Sequence, residues 1–196
     1  AKSFKFRHND IEDLRKQILI NVGKSSSGEI FIVTESVFSM DGDIPDLKAI
    51  VELAEELNSF LIVDEAHATG IFGKKGEGLV QELDLQEKVF ASLVTFGKAL
   101  GCHGAAVLGS KFLKDYLINF SRSFIYTTAL PPHSVATILA AYQLLDKFSA
   151  PYSFVCTVSD FQDLVEDARG RVRRVRLDRD PLVPVVVRIR RVLALH

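Results

Sequence analysis

The chain of 196 residues lacks the features that direct a protein to a membrane, a structural metal or an oxidising compartment. Its two cysteines, Cys102 and Cys156, do not have the spacing of a metal site, so we expect reduced thiols in a cytoplasmic protein. No apolar run approaches the roughly 20 residues of a membrane span. The first residues also lack the basic start and apolar core of a signal peptide.

A strong net charge is missing as well, because 24 basic residues nearly balance 25 acidic ones. This balance gives no reason to expect a nucleic-acid partner. The charge is unevenly distributed, however: residues 169–196 hold nine arginines and no lysine, whereas residues 1–168 hold twelve lysines and three arginines. Such a tail could contact nucleic acid or an acidic surface, form a strand through the alternation in residues 171–177, or mark a junction with a foreign or frame-shifted end. We favour the junction.

Hydrophobic periodicity predicts alternating strands and helices over most of the chain. Asn9 is the expected N-cap of a first helix, with Glu12 three residues later. Because strands and helices alternate over residues 29–95, a mainly parallel sheet covered by helices is expected. The strand after the next turn should be antiparallel, since too few residues remain for a crossover. The predicted strands are 29–34, 60–63, 89–94 and 105–109, and the predicted helices begin near residues 11, 46, 111 and 133.

One lysine stands where an α/β sheet usually presents its chemistry. Lys98 follows the predicted strand 89–94 in a turn with Gly97 and Gly101 on either side, and Thr95 lies three residues before it. Glycines allow a ligand to approach closely. A partly desolvated lysine can lose its proton and attack a carbonyl carbon. By itself, a solvated surface lysine is an equally good interpretation.

A second polar cluster follows another predicted strand. Asp64 ends the apolar run 60–63, and His67 lies three residues further along. At a strand end, both side chains can enter one crevice. A strand that ends in Asp-Glu-Ala-His is also typical of DEAH-type NTPases, which need a G-x-x-x-x-G-K-[ST] phosphate loop between a strand and a helix. Here Ile18 replaces the first glycine of that pattern, and the segment follows a helix instead.

Three motifs in this order resemble the α-oxoamine synthases, a family of pyridoxal-phosphate (PLP) enzymes. They are VFSMDGD (residues 37–43), VDEAHATG (63–70) and TFGKALGCHGAAVLGS (95–110). The resemblance implies an α/β fold, the three-layer, mainly parallel sheet of the large domain of PLP-dependent transferases. It covers residues 1–148, which would be the second half of that domain.

The resemblance also implies roles for individual residues. Lys98 would bind the cofactor covalently and then transfer protons, Asp64 would face its pyridine nitrogen, and His67 would donate to its ring oxygen. Thr95 would bind the phosphate and Ser39 would lie beside the ring. Without the resemblance, caps, turn residues and a core-edge histidine would explain most of these positions.

A further implied contact is intermolecular. The segment Tyr126-Thr127-Thr128 resembles the one with which a subunit completes its neighbour's phosphate site, so Thr128 would be a cofactor contact and the enzyme a homodimer with shared active sites. Otherwise the segment is a helix-entry loop before Pro131.

The implied reaction is decarboxylative condensation of a small amino acid with an acyl-CoA, and L-alanine with pimeloyl-CoA is the favoured pair. Glycine with acetyl-CoA is the alternative within the family, and an inactive fragment is the alternative outside it. The expected Gly-rich phosphate turn and ring-stacking histidine have no counterpart in the sequence. Residues 151–196 stand as an unassigned Arg-rich tail in place of the expected C-terminal domain. We therefore expect an incomplete domain that is inactive by itself.

Overall fold

The computed structural model describes residues 3–22 and 28–148, together with the backbone of residues 164–166 and 172–174. Four neighbouring strands form one sheet in chain order: β1 (Phe31–Glu35), β2 (Phe60–Asp64), β3 (Ala91–Thr95) and β4 (Ala105–Gly109). The helices are α1 (Ile11–Val22), α2 (Leu47–Glu56), α3 (Leu79–Glu82), α4 (Lys111–Phe120), α5 (Arg122–Ile125) and α6 (Pro132–Phe148). A separate antiparallel pair consists of β5 (Leu164–Glu166) and β6 (Val172–Arg174).

The sheet is mainly parallel, as the alternation of elements predicts. β1 pairs with β2 from Phe31 opposite Phe60 to Glu35 opposite Asp64, and β2 pairs with β3 in the same direction. β4 runs antiparallel to β3, as the short connection between them requires. The predicted fold class is therefore confirmed, with the boundaries of β1, β2 and β3 displaced by at most two residues and those of β4 as predicted.

The main core lies on one face of the sheet. Ile32, Leu61 and Val63 alternate with less buried neighbours along β1 and β2, and the first three helices cover them. α2 begins at its N-cap Asp46, whose side chain accepts a hydrogen bond from the Ala49 amide at 3.0 Å. The helical residues that join this core are Leu14 and Ile18 of α1, Leu47, Ile50, Val51, Leu53 and Ala54 of α2, and Leu79 and Val80 of α3.

The predicted N-cap of α1 is wrong by one residue. Asp10 caps the helix, because its Oδ1 accepts a hydrogen bond from the Asp13 amide at 2.8 Å. Asn9 instead adopts a φ of 53° and donates from Nδ2 to Asp43 at 2.7 Å. Both residue types are good caps. Here Asn9 makes the long-range contact to Asp43, and Asp10 occupies the cap position.

The second half of the described chain exposes much apolar surface. Its small core consists of Val94, Phe96 and Cys102 with α6 packed against it, and neither α4 nor α5 has a buried residue. Phe112 is 85% exposed. Contiguous exposed apolar surface is unusual on a monomeric domain.

Little of the Arg-rich tail is described. β6 lies within the alternating Arg and apolar residues 171–177, so strand formation there is confirmed for three residues. The remainder of the expected tail, residues 151–163, 167–171 and 175–196, lies outside the described residues. Among the helices that the structure describes, none combines the length and apolarity needed to cross a membrane.

Candidate active site

The candidate site lies at the carboxyl ends of β2 and β3. Because these strands are parallel neighbours, their ends meet at the same edge of the sheet. Asp64 is the last residue of β2 and Thr95 the last of β3, and each is followed by a turn that carries one further predicted residue. The sequence therefore places His67 and Lys98 on adjoining turns.

The Lys98 turn is closed by three backbone hydrogen bonds. The Gly101 amide donates to the Lys98 carbonyl at 3.0 Å, the Cys102 amide to the Phe96 carbonyl at 2.7 Å, and the Phe96 amide to the Gly104 carbonyl at 2.9 Å. Gly101 has a φ of 59° and Gly104 a φ of 104°, which glycine adopts without strain. The turn thus fixes the backbone from which the lysine side chain extends.

Lys98 and His67 are in direct contact. Lys98 Nζ lies 2.5 Å from His67 Nε2, and both side chains are half-buried. Either the lysine ammonium donates to an unprotonated Nε2, or an Nε2–H donates to a neutral amine. In both arrangements a proton is held between the two groups, so the pair can exchange a proton with a molecule bound beside it.

Asp64 is held in place by its own turn. Its Oδ1 accepts a hydrogen bond from the Ala66 amide at 2.9 Å, which is an Asx-turn. Asp64 is the last residue of β2, a strand in which every second side chain is buried, and its own carboxylate is half-buried. This arrangement presents a fixed negative charge at the same sheet edge as Lys98.

Thr95 has an unsatisfied polar atom. Its Oγ1 is buried and has no hydrogen-bond partner among the described residues. A buried hydroxyl without a partner costs about 1–3 kcal/mol. Because it lies at the end of β3, three residues before Lys98, a phosphate oxygen bound there would remove that cost.

Ser39 lies in the turn after β1, where it is exposed. The turn is closed by the Gly42 amide, which donates to the Phe38 carbonyl at 2.8 Å. Asp43, four residues beyond Ser39, approaches His8 Nε2 at 2.6 Å, and the His8 ring packs edge-on against Phe38 at 4.3 Å. The N-terminal segment thus holds the turn, a contact that the sequence did not predict.

Thr128 lies in the exposed segment between α5 and α6. Tyr126, two residues earlier, is 81% exposed. This placement is compatible both with a helix-entry loop and with a contact to another subunit. The role of Thr128 therefore stays a prediction, as do the roles of the other five residues.

Glu65 is the residue that the sequence analysis left without a role. It is only 3% exposed, and its Oε1 accepts hydrogen bonds from the amides of Leu79 at 3.0 Å and Val80 at 3.1 Å. Burial raises the pKa of this carboxyl, and the two amide hydrogen bonds oppose that rise. The burial of Glu65 could have been predicted from the sequence, because Glu65 continues the period-two series of Leu61 and Val63 on the buried face.

This raised pKa predicts a pH-dependent stability. A carboxyl whose pKa is higher in the folded state stabilises the fold at low pH, and that contribution is lost as the pH rises through the folded-state pKa. The Glu65→Gln side chain is neutral at every pH, so the variant does not lose stability through this ionisation. Urea unfolding between pH 4 and pH 8 should therefore show the variant gaining stability relative to wild type as the pH increases. A constant difference between the two proteins would contradict the assignment.

A cavity among the described residues lies elsewhere. A groove of about 590 Å³ opens at the amino ends of β2 and β3 and is lined by Phe60, Phe90, Leu108 and their neighbours. None of the six predicted site residues lines it. We place the chemistry at the opposite edge, because the lysine, the histidine and the unsatisfied hydroxyl are there.

Comparison with known proteins identifies the family. The model of the family "Aminotransferase class I and II" matches residues 1–177. An 8-amino-7-oxononanoate synthase of Emericella nidulans is 45% identical over 154 residues, covering 74% of this chain and 37% of the relative. Another from Geotalea daltonii is 43% identical over 146 residues, with coverages of 74% and 37%. The chain thus spans well under half the length of the curated relatives it matches.

Solved structures show the same fold. A serine palmitoyltransferase solved with its PLP internal aldimine has a TM-score of 0.64 and 34% identity, with 71% of this chain and 34% of that chain covered. An 8-amino-7-oxononanoate synthase from Francisella tularensis has a TM-score of 0.55 and 35% identity, with coverages of 66% and 38%. Family model, sequence relatives and structures agree, and the chain belongs to the aminotransferase class I and II family.

Proposed function

We propose that this chain is part of a PLP-dependent acyltransferase that condenses an amino acid with an acyl-CoA with loss of carbon dioxide. The observation that carries this proposal is the contact between Lys98 Nζ and His67 Nε2 at the ends of two parallel strands. Relatives named 8-amino-7-oxononanoate synthase support the class of reaction. In this proposal residues 1–148 are the second half of the cofactor domain.

The site residues fit the cofactor. The buried Thr95 Oγ1 lacks a partner among the described residues, and a phosphate oxygen would supply one. A PLP-containing serine palmitoyltransferase shares the fold. When bound, PLP supplies an electron sink for negative charge that develops at the α-carbon of an amino acid.

Each side chain then has a separate task. Lys98 anchors the cofactor through Nζ and moves the proton of the amino acid's α-carbon, since the same amine can act as base and acid. His67 donates to the ring oxygen and limits the orientations open to Lys98. Asp64, fixed by the Ala66 amide, keeps a proton on the ring nitrogen by placing a negative charge opposite it.

Ser39 and Thr128 complete the proposed site from outside β2 and β3. Ser39 orients the ring from the turn after β1, and Thr128 reaches the phosphate of a second subunit. A homodimer with shared active sites follows from the second assignment. The exposed position of Thr128 and the apolar surface of the neighbouring helices support it.

The proposed substrates are pimeloyl-CoA and L-alanine, the reaction of biotin synthesis that yields 8-amino-7-oxononanoate. A chimera tests this proposal directly: residues 3–148 replace the matching segment of the Francisella tularensis synthase. We expect the chimera to release free CoA from pimeloyl-CoA with L-alanine and far less from acetyl-CoA with glycine. The 196-residue chain by itself should release none.

The same chimera carrying Lys98→Ala controls for background release of CoA. Faster turnover of acetyl-CoA with glycine would replace the proposed substrates with the alternative pair. A chimera that folds and holds PLP but turns over neither pair would contradict the proposed reaction.

A further inference from the structure

We propose that Glu65 is a positioning residue that keeps His67 against Lys98 by fastening the turn after β2 to the start of α3. The inference rests on the proposed function for its consequence in catalysis. The contacts that it describes lie within this chain and can be tested without cofactor.

The first step is the anchoring of the Glu65 side chain. Oε1 accepts hydrogen bonds from both the Leu79 and Val80 amides, so a single oxygen joins the end of β2 to the first residues of α3. The position before the helix is Gly78, with a φ of 122°. A Cβ at Gly78 would overlap Glu65 Oε2, so the glycine leaves room for the carboxyl group.

The second step is the fixing of the Glu65 backbone. Its amide donates to the Leu93 carbonyl of β3 at 2.8 Å. Its carbonyl accepts hydrogen bonds from the amides of Ala68 and Thr69, and from Thr69 Oγ1, each at 3.0 Å. His67 lies inside the loop that these bonds close, so its backbone position follows from that of Glu65.

The third step is the opposite orientation of Glu65 and Asp64. Leu61, Val63 and Glu65 lie on the buried face of β2, whereas Asp64 points to the other face. Asp64 can therefore face a bound molecule while the Glu65 side chain anchors the turn on the opposite face. Because the anchoring depends on an acceptor oxygen at the right distance, glutamine should replace Glu65 and methionine of similar volume should not.

The test uses the isotopically labelled 196-residue chain without cofactor and two NMR measurements. One is the ¹⁵N chemical shift of His67 Nε2. The Lys98→Ala variant gives the reference value of this shift when the lysine contact is absent. The other is hydrogen exchange at the Leu79 and Val80 amides. Asp46→Ala is the matched control, because it removes a side-chain acceptor at the start of a different helix, α2.

In Glu65→Met we expect the His67 Nε2 shift to move at least halfway toward its position in Lys98→Ala, and both amides to exchange at least about tenfold faster. Glu65→Gln and Asp46→Ala should leave the His67 shift at its wild-type value. If Glu65→Met does not fold, Glu65→Asp, whose carboxyl group is one methylene shorter, takes its place under the same readouts. Faster exchange with an unchanged His67 shift would overturn the inference and leave the proposed cofactor chemistry unaffected.

Discussion

Replacing Lys98 with alanine is expected to abolish cofactor attachment and to lower the turnover of the chimera by at least about 10³-fold. Proton transfer by a positioned side chain alone contributes about 10²–10⁴-fold, and the same substitution removes the covalent anchor. The contact to His67 and the closed turn after β3 hold the amine in one place. Turnover is measured as free CoA, and attachment by borohydride reduction with PLP followed by mass spectrometry of the digest.

The labelling experiment has an internal control in Lys111. Its side chain is 88% exposed and pairs with Asp115 on the same helix, as a solvated lysine does. We expect Lys98 to be labelled at cofactor concentrations that leave Lys111 unmodified. Uniform labelling of surface lysines with Lys98 unmodified would contradict the assignment of Lys98 as the attachment site.

Asp64→Asn should retain the cofactor and lower turnover of the chimera by about 10³-fold or more, equivalent to about 4 kcal/mol of transition-state stabilisation. Asparagine keeps an oxygen that can accept from the Ala66 amide, so the turn is preserved. What is lost is the negative charge opposite the ring nitrogen. The measurements are kcat for CoA release and the cofactor content of the purified variant.

Glu35→Gln is the matched control for Asp64→Asn. Glu35 is directly opposite Asp64 in the β1–β2 register, so its substitution removes a carboxylate of the same sheet edge. We expect it to change turnover by less than about threefold, since Glu35 has no proposed contact with the cofactor or the substrates. An unchanged kcat in Asp64→Asn would remove the electron-sink assignment, and magnesium-dependent ATP hydrolysis would restore the DEAH-type alternative.

That alternative is already disfavoured by the order of elements. α1 ends at Val22 and the next strand begins at Phe31, so the Gly23-Lys24-Ser25 segment follows a helix and precedes a strand. A phosphate loop requires the reverse order. The sequence pattern was sufficient to predict this result, because both neighbouring elements have clear periodicity.

The strands and long helices were predictable for the same reason. β4 and α4 have the predicted boundaries, 105–109 and 111–120, and the predicted antiparallel direction of β4 is confirmed. α3 and α5 were not predicted. A helix of four residues has too few positions to show a period, and its stability comes from packing or from acceptors such as Glu65.

The site was predictable only in part. Sequence order places Lys98 and His67 each just after a strand, but their contact depends on the parallel pairing of β2 with β3. The hydrogen bonds of Glu65 to α3 cross 14 and 15 residues, and the contact of Asn9 with Asp43 crosses 34. Such distant partners have no local signature, so residue type alone could not assign them.

The agreement between chain order and sheet order has a kinetic consequence. Each strand from β2 to β4 pairs with the strand made immediately before it, so no strand must wait for a partner synthesised later. Pairing in chain order needs shorter connections than pairing out of order would, so less entropy is lost when each strand joins the sheet. The sheet can therefore grow in the direction of translation, one strand at a time, and Lys98 enters an edge where β2 and its histidine already lie in place.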